Sequence, residues 1–301
     1  MLLLAIGTGL ILLISYGCYW IAFYNPVSRH QETVVIRTGK ESPWMDAYCQ
    51  EMSNRPYEQV YIQSFDGLRL AGRYYHCNED GPIHIQFHGY RGNGIRDFCL
   101  CHHICMEKGI NVLVVDQRAH GNSEGNTMTF GVLERKDCLA WTRYVQERFG
   151  NDRKIFLSGV SMGAATVLMA SCLPLPENVA GIIADCPYSS PGSIIRKVIS
   201  DMRIPSYLVY PFVVFGALLF GGFQVWKDSP VRAVTQTTIP ILLIHGSEDR
   251  YVPAEMSNAI FENCAGKRYL EIFPGAGHGG CCATDPVRYE KILGSFMNAC
   301  S

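Results

Sequence analysis

The run Lys154-Ile155-Phe156-Leu157-Ser158-Gly159-Val160-Ser161-Met162-Gly163-Ala164-Ala165 decides how the rest of the chain is read. Lys154 to Leu157 is short and mostly apolar, as a buried strand would be. Ala164 to Cys172 carries Ala, Leu, Met and Val at helical spacing. Between them lies Gly-x-Ser-x-Gly, so the pattern is strand, tight turn, helix. A serine on such a turn is pressed into a strained backbone, and side chains at 159 and 163 would collide with neighbouring elements; glycine avoids this. The turn lifts the hydroxyl clear of the sheet and aims the first free amides of the helix at whatever the serine attacks. Ser161 is therefore a candidate nucleophile, against the plainer reading of a Gly-rich packing or phosphate turn.

Working outward, apolar strands alternate with helices. Gln59 to Ser64 alternates with period two and meets Asp66-Gly67, a hairpin signal, and Leu68 to His76 returns. Ile83–Phe87, Asn111–Val115, Lys154–Leu157, Val179–Ala184, Ile239–Ile244 and Arg268–Phe273 read as further strands. Gly92–Lys108, Thr129–Phe149, Glu255–Cys264 and Val287–Cys300 read as helices. Continuous apolar strands separated by helices predict an α/β protein with a mainly parallel, eight-stranded sheet covered on both faces. Ligand chemistry in such sheets gathers beyond the carboxyl ends of the strands.

About fifty residues between Pro187 and Thr238 show no strand. They are expected to form an inserted helical cap. Within it Tyr207 to Phe223, YLVYPFVVFGALLFGGF, is almost wholly apolar. It reads as a lid that lines an acyl pocket or dips into a bilayer surface, with ordinary cap packing as the alternative.

Residues 1–28 contain no charged side chain, and Leu2 to Phe23 is long enough to span a hydrocarbon layer of ~30 Å. Tyr16, Tyr19, Trp20 and Tyr24 gather at its far end, where aromatic rings favour the headgroup zone. No Lys or Arg precedes the run and no clear Ala-x-Ala site follows, so an uncleaved single-pass anchor is expected rather than a signal peptide. Arg29, Arg37 and Lys40 follow the span, which puts the catalytic part on the cytoplasmic side. The organisation expected is a transmembrane anchor (1–28), a juxtamembrane segment (29–55), a core in two parts (56–187 and 238–301) and a cap (188–237).

Charged residues make up 18% of the 301, the formal net charge is −1 and no dense basic run occurs, which argues against nucleic acid as a partner. The thirteen cysteines are irregularly spaced in a chain too long to need stapling. They read as small buried hydrophobes of a reducing compartment. Cys99, Cys101 and Cys105 with His102 and His103 fall in one helix, and no second ligand pair answers them, so no metal is expected. No dinucleotide or phosphate loop is found, and no cofactor is expected. The sequence leaves the oligomeric state open.

A serine nucleophile needs a base, and the base needs orientation. Of nine histidines, His278 stands out: glycines flank it in a loop after the last strand, beyond both the serine and the acid. His102 and His103 read as helix-surface residues; His88, His120 and His245 read as loop anchors. Asp249, in the loop that leaves Ile241–Ile244, is the acid candidate. Adjacent Glu248 and Asp185, at the end of the preceding strand, are its alternatives. An oxyanion would need preset donors. The Met162 amide beside the serine and the Tyr90 amide in His88-Gly89-Tyr90-Arg91-Gly92-Asn93 are the choices.

Six motifs in order, HGYRGN (88–93), DQRAHGNSEG (116–125), GVSMG (159–163), SPVRAV (229–234), HGSEDRYVP (245–253) and GAGHG (275–279), resemble those of α/β-hydrolase fold serine hydrolases. The likeness is greatest to the bacterial, often membrane-anchored branch grouped with serine aminopeptidases and monoacylglycerol lipases. It runs from about Gln59 to the carboxyl end. The resemblance implies Ser161, Asp249 and His278 as a triad and Tyr90 and Met162 as oxyanion donors. It gives Asp116 and His120 a structural role in setting the loop beside the site. The very apolar cap departs from the family's pattern. The expected activity is hydrolysis of a carboxylic ester, preferably hydrophobic, through an acyl-serine. A peptidase, amidase, thioesterase or acyltransferase using the same residues is the alternative, as is a non-enzymatic membrane scaffold.

Overall fold

The computed structural model describes residues 1–26 and 43–300. Most of the expected juxtamembrane segment, and the last two residues of the expected anchor, lie outside them. The strands are β1 (Glu58–Gln63), β2 (Arg69–Tyr75), β3 (Ile83–Phe87), β4 (Asn111–Val115), β5 (Ile155–Val160), β6 (Val179–Asp185), β7 (Ile241–Gly246) and β8 (Arg268–Phe273). They form one eight-stranded sheet in the order β1-β2-β4-β3-β5-β6-β7-β8. The sheet is mixed: β2 runs antiparallel to β1 and β4, and every pair from β4 to β8 is parallel. The fold is that expected from the alternation of strands and helices. β3 and β4 are buried along their whole length, because helices cover both faces.

The helices are α1 (Leu2–Ala22), α2 (Pro43–Asn54), α3 (Gly94–Glu107), α4 (Glu134–Phe149), α5 (Met162–Ala170), α6 (Pro191–Asp201), α7 (Ser206–Leu219), α8 (Pro230–Ala233), α9 (Glu255–Asn263), α10 (Cys281–Thr284) and α11 (Pro286–Ala299). On one face Phe98 and Cys105 of α3 pack with Leu293 and Phe296 of α11. On the other, Trp141 of α4 and Val167 of α5 pack with Ile260 of α9. α4 begins later than Thr129. The buried Glu134 carboxylate turns back to accept from the Thr129 amide at 2.7 Å and the Gly131 amide at 2.9 Å, capping a left-handed turn at Phe130 and Gly131.

Two packing relationships were not expected. α2 lies on α3, so His102 is 1% exposed rather than on the surface, and its ring meets Tyr75 edge-on at 4.4 Å. Burial pushes that imidazole down to about 4. α1, 21 residues and about 31 Å long at ~1.5 Å per residue, is long and apolar enough to cross a membrane. It does not stand apart from the body. Gly216 of α7 sits against Ser15 and Tyr19 of α1, and Tyr16 meets Phe220 edge-on at 5.1 Å. Phe23, just past α1, is fully buried between Phe130 and Phe223. α6 and α7 occupy the expected cap, with their buried faces against Met162, Tyr188 and Val252.

Candidate active site

Ser161 sits where β5 turns into α5, at φ 54° and ψ −110°, a backbone that L-residues seldom adopt. Gly159 makes the turn possible, since a Cβ there would overlap the Gly163 backbone. The Ser161 amide donates to the Asp185 carbonyl at 2.8 Å, tying the turn to β6. Its Oγ lies 2.9 Å from Nε2 of His278. His278 Nδ1 lies 2.7 Å from Oδ2 of Asp249. The loops after β5, β7 and β8 thus bring all three expected residues together at the carboxyl ends of parallel strands.

The Asp249 side chain is fully buried. Its Oδ1 accepts from the amides of Tyr251 (2.9 Å) and Val252 (2.8 Å). Burial alone would raise its carboxyl, but the hydrogen bonds of His245 and His278 outweigh that and hold it well below the usual carboxylate range. His245 is the loop anchor it was expected to be: its Nδ1 is 2.6 Å from Ser257 Oγ and its Nε2 2.8 Å from the Val252 carbonyl. Glu248 is exposed. Asp185 makes no hydrogen bond to His278 among those observed. Its Oδ1 is buried without a partner, and burial raises its carboxyl to about 6.

Tyr90 and Arg91 follow β3, with Arg91 in the left-handed region at φ 49°. The Gly89 amide donates to Asp97 Oδ2 at 2.7 Å and the Arg91 amide to His120 Nε2 at 3.2 Å. His120 thus props this loop, as the resemblance implied. Asp116 holds its own loop by accepting from the Asn122 amide at 2.9 Å. Met162 is the first residue of α5, so its amide is among those the helix leaves over.

A cleft of about 830 Å³ reaches Ser161 and His278. Phe98, Cys99, Leu100 and Cys101 of α3 and Cys282 and Ala283 of α10 are among its lining residues, as are Asp185 and Tyr289. Among the described residues its lining includes none of the 188–237 insert, so of the readings offered for the apolar stretch, pocket lining, bilayer contact and ordinary packing, the first finds no support at this cleft. The physical reason is that α7 spends its inner face on α1 and α6. All thirteen cysteines are unpaired thiols, and most are buried. The structure brings one unforeseen ligand to the α3 cysteines: atoms of His84, Cys101 and Cys105 lie within 4.8 Å of one another, with Nδ1 of His84 3.1 Å from Cys105 Sγ.

The family described as serine aminopeptidase, S33, matches residues 85–209, which include most of β3, the turn at Ser161 and the whole of α6. The esterase Pf2001 of Pyrococcus furiosus has a similar structure, with a TM-score of 0.65 at 24% identity, over 83% of this chain and 93% of that one. The chain has the α/β-hydrolase fold. Among sequence relatives of this chain, the uncharacterized protein YqkD of Bacillus subtilis is 27% identical over 197 residues, 65% of either chain. The uncharacterized membrane protein YNL320W of Saccharomyces cerevisiae is 26% identical over 245 residues, 80% of either chain.

Proposed function

We propose that this chain is a membrane-anchored serine hydrolase that cleaves hydrophobic carboxylic esters through an acyl-serine intermediate. The observation that carries the reading is the continuous contact from Ser161 Oγ through the His278 imidazole to Asp249, at 2.9 and 2.7 Å. Ser161 Oγ attacks the ester carbonyl while His278 Nε2 takes its proton. The imidazolium formed keeps its Nδ1 proton on the Asp249 carboxylate, which fixes the tautomer. The Met162 and Tyr90 amides take the developing oxyanion. His278 then gives its proton to the leaving alcohol, and the acyl group remains on Ser161. Water attacks that ester with His278 as base, releasing the acid and restoring the serine.

Much of the cleft wall is apolar or sulfur-bearing, which suits an acyl chain, and Arg96, Asp97 and Asp185 are its charged members. α1 would span the bilayer, and the basic residues after it favour a cytoplasmic body. α7 carries no charged residue, and Tyr207 and Leu208 are exposed on it, which suits the lipid interface. One observation favours a second reading with the same triad, an aminoacyl amide substrate: the Asp185 carboxyl belongs to the cleft lining, an acidic group that would suit an amine.

A fluorophosphonate probe tests the nucleophile. It should label the wild type and leave Ser161→Ala unlabelled; labelling of that variant would remove Ser161 from the mechanism. Turnover of p-nitrophenyl esters of graded chain length against aminoacyl amides separates the substrate readings, with long esters expected to be the better substrates.

A further inference from the structure

The last turn of a helix leaves carbonyls that need donors. In α1 those donors come from the loop beside the candidate nucleophile. The Tyr90 hydroxyl donates to the Ala22 carbonyl at 2.9 Å. The Arg91 guanidinium donates through Nη2 to the carbonyl of Ile21 at 3.0 Å and of Tyr24 at 3.3 Å. These are the two residues at the tip of the 88–93 loop, and the Tyr90 amide is the oxyanion donor proposed above.

The helix end is itself locked into the body. Asn25 donates from its amide to the Asn126 carbonyl at 2.8 Å and from Nδ2 to the Ala119 carbonyl at 2.6 Å. The Met128 amide donates to the Phe23 carbonyl at 2.8 Å, and the Tyr19 hydroxyl lies 2.7 Å from Thr127 Oγ1. The Tyr90 ring rests on Phe130 at 5.1 Å, and Phe130 meets Phe23. A flexible tether has none of these features. The 119–130 stretch and the 88–93 loop together grip one helix terminus, and His120 joins the two loops through the Arg91 amide.

We infer that α1 is a positioning element of the hydrolytic site, its carboxyl-terminal turn fixing Tyr90 and Arg91 so that the Tyr90 amide meets the developing oxyanion. The inference rests on the serine-hydrolase reading. Tyr90 and Arg91 act here through their side chains as positioning residues. The left-handed backbone at Arg91 is where the loop would relax if those side chains let go. Seating of α1 in lipid then bears on turnover, because the same helix that meets the acyl chains carries the carbonyls that hold the loop.

The test uses full-length protein in lipid nanodiscs. Tyr90→Phe deletes one hydroxyl and leaves the backbone amide in place; Arg91→Ala deletes the guanidinium. Each should lower kcat about tenfold or more with KM nearly unchanged, because a misplaced donor fails only in the transition state. Added guanidinium ion should restore part of the Arg91→Ala loss, which a purely structural role would not allow. Both variants should melt close to the wild type. If wild type and both variants share one kcat, the inference is overturned while the hydrolase reading stands. If wild-type Ser161 takes no fluorophosphonate, the hydrolase reading falls and this inference with it.

Discussion

The α-carbon of Gly163 faces the carbonyl of Phe87 so closely that a Cβ there would lie inside that oxygen's van der Waals envelope. The partner is backbone of the central strand β3, so nothing can move aside. Gly163→Ala should destabilise the fold by at least about 3 kcal/mol or abolish soluble expression. Gly277→Ala, in the His278 loop with nothing within 4 Å of the added methyl, should melt like the wild type. Thermal melts of the two variants check the pair; a stable Gly163→Ala protein would contradict the geometry of the turn.

Asp249 and Glu248 are neighbours with opposite surroundings, one buried beneath His278 and the other exposed. Asp249→Asn should lower kcat by about 10⁴, since an amide no longer stabilises the imidazolium or selects its tautomer. Glu248→Gln should stay within about twofold of wild type, as surface changes usually do. Ester hydrolysis under saturating substrate measures both, and a large loss at 248 would transfer the acid role.

Asp185 gives a pH signature. Its carboxyl rises from 3.8 to about 6 on folding, mainly through burial. Between those values the folded protein holds a proton that the unfolded chain has lost, so stability falls as pH rises through that window and the deficit is complete above it. Asp185→Asn should therefore be the more stable protein above pH 6, by roughly 3 kcal/mol at most, and match the wild type below pH 4. Denaturant titrations at both ends decide; equal stability at pH 8 would mean that the carboxyl is not strained.

Arg118 joins distant parts of the sheet's edge. It is 3% exposed, donates through Nε and Nη2 to Asp137 of α4 at 2.6 and 2.8 Å, and also holds Asp66 in the β1–β2 turn at 2.9 Å. Arg118→Ala would leave Asp137 buried without its cation and should cost roughly 3–5 kcal/mol. The double variant Arg118→Met, Asp137→Leu should recover much of that loss, which a double-mutant cycle in urea would read.

The succession of strands along the chain was legible because each apolar run is short, bounded and separated by helical spacing, whereas their order in the sheet was not read from it. Ile83–Phe87, Asn111–Val115 and Arg268–Phe273 have the bounds their composition implied. The choice among Asp185, Glu248 and Asp249 was not settled by spacing, because all lie at or just beyond strand ends; only the direction of each side chain separates them. His102 was misread because the helix periodicity of α3 cannot show that α2 covers its outer face. The docking of α1 was hidden for a related reason. A segment apolar all round has no pattern to mark which side packs against the rest of the protein.

The sheet ends on β8, an edge strand, and the loop leaving it carries His278. Ser161 therefore leaves the ribosome 117 residues ahead of the imidazole proposed as its base. At about 5–20 residues per second, that interval lasts roughly 6–23 s. On the proposed mechanism the nascent chain presents a hydroxyl with no base throughout that interval, so it would stay chemically silent until its final strand has docked.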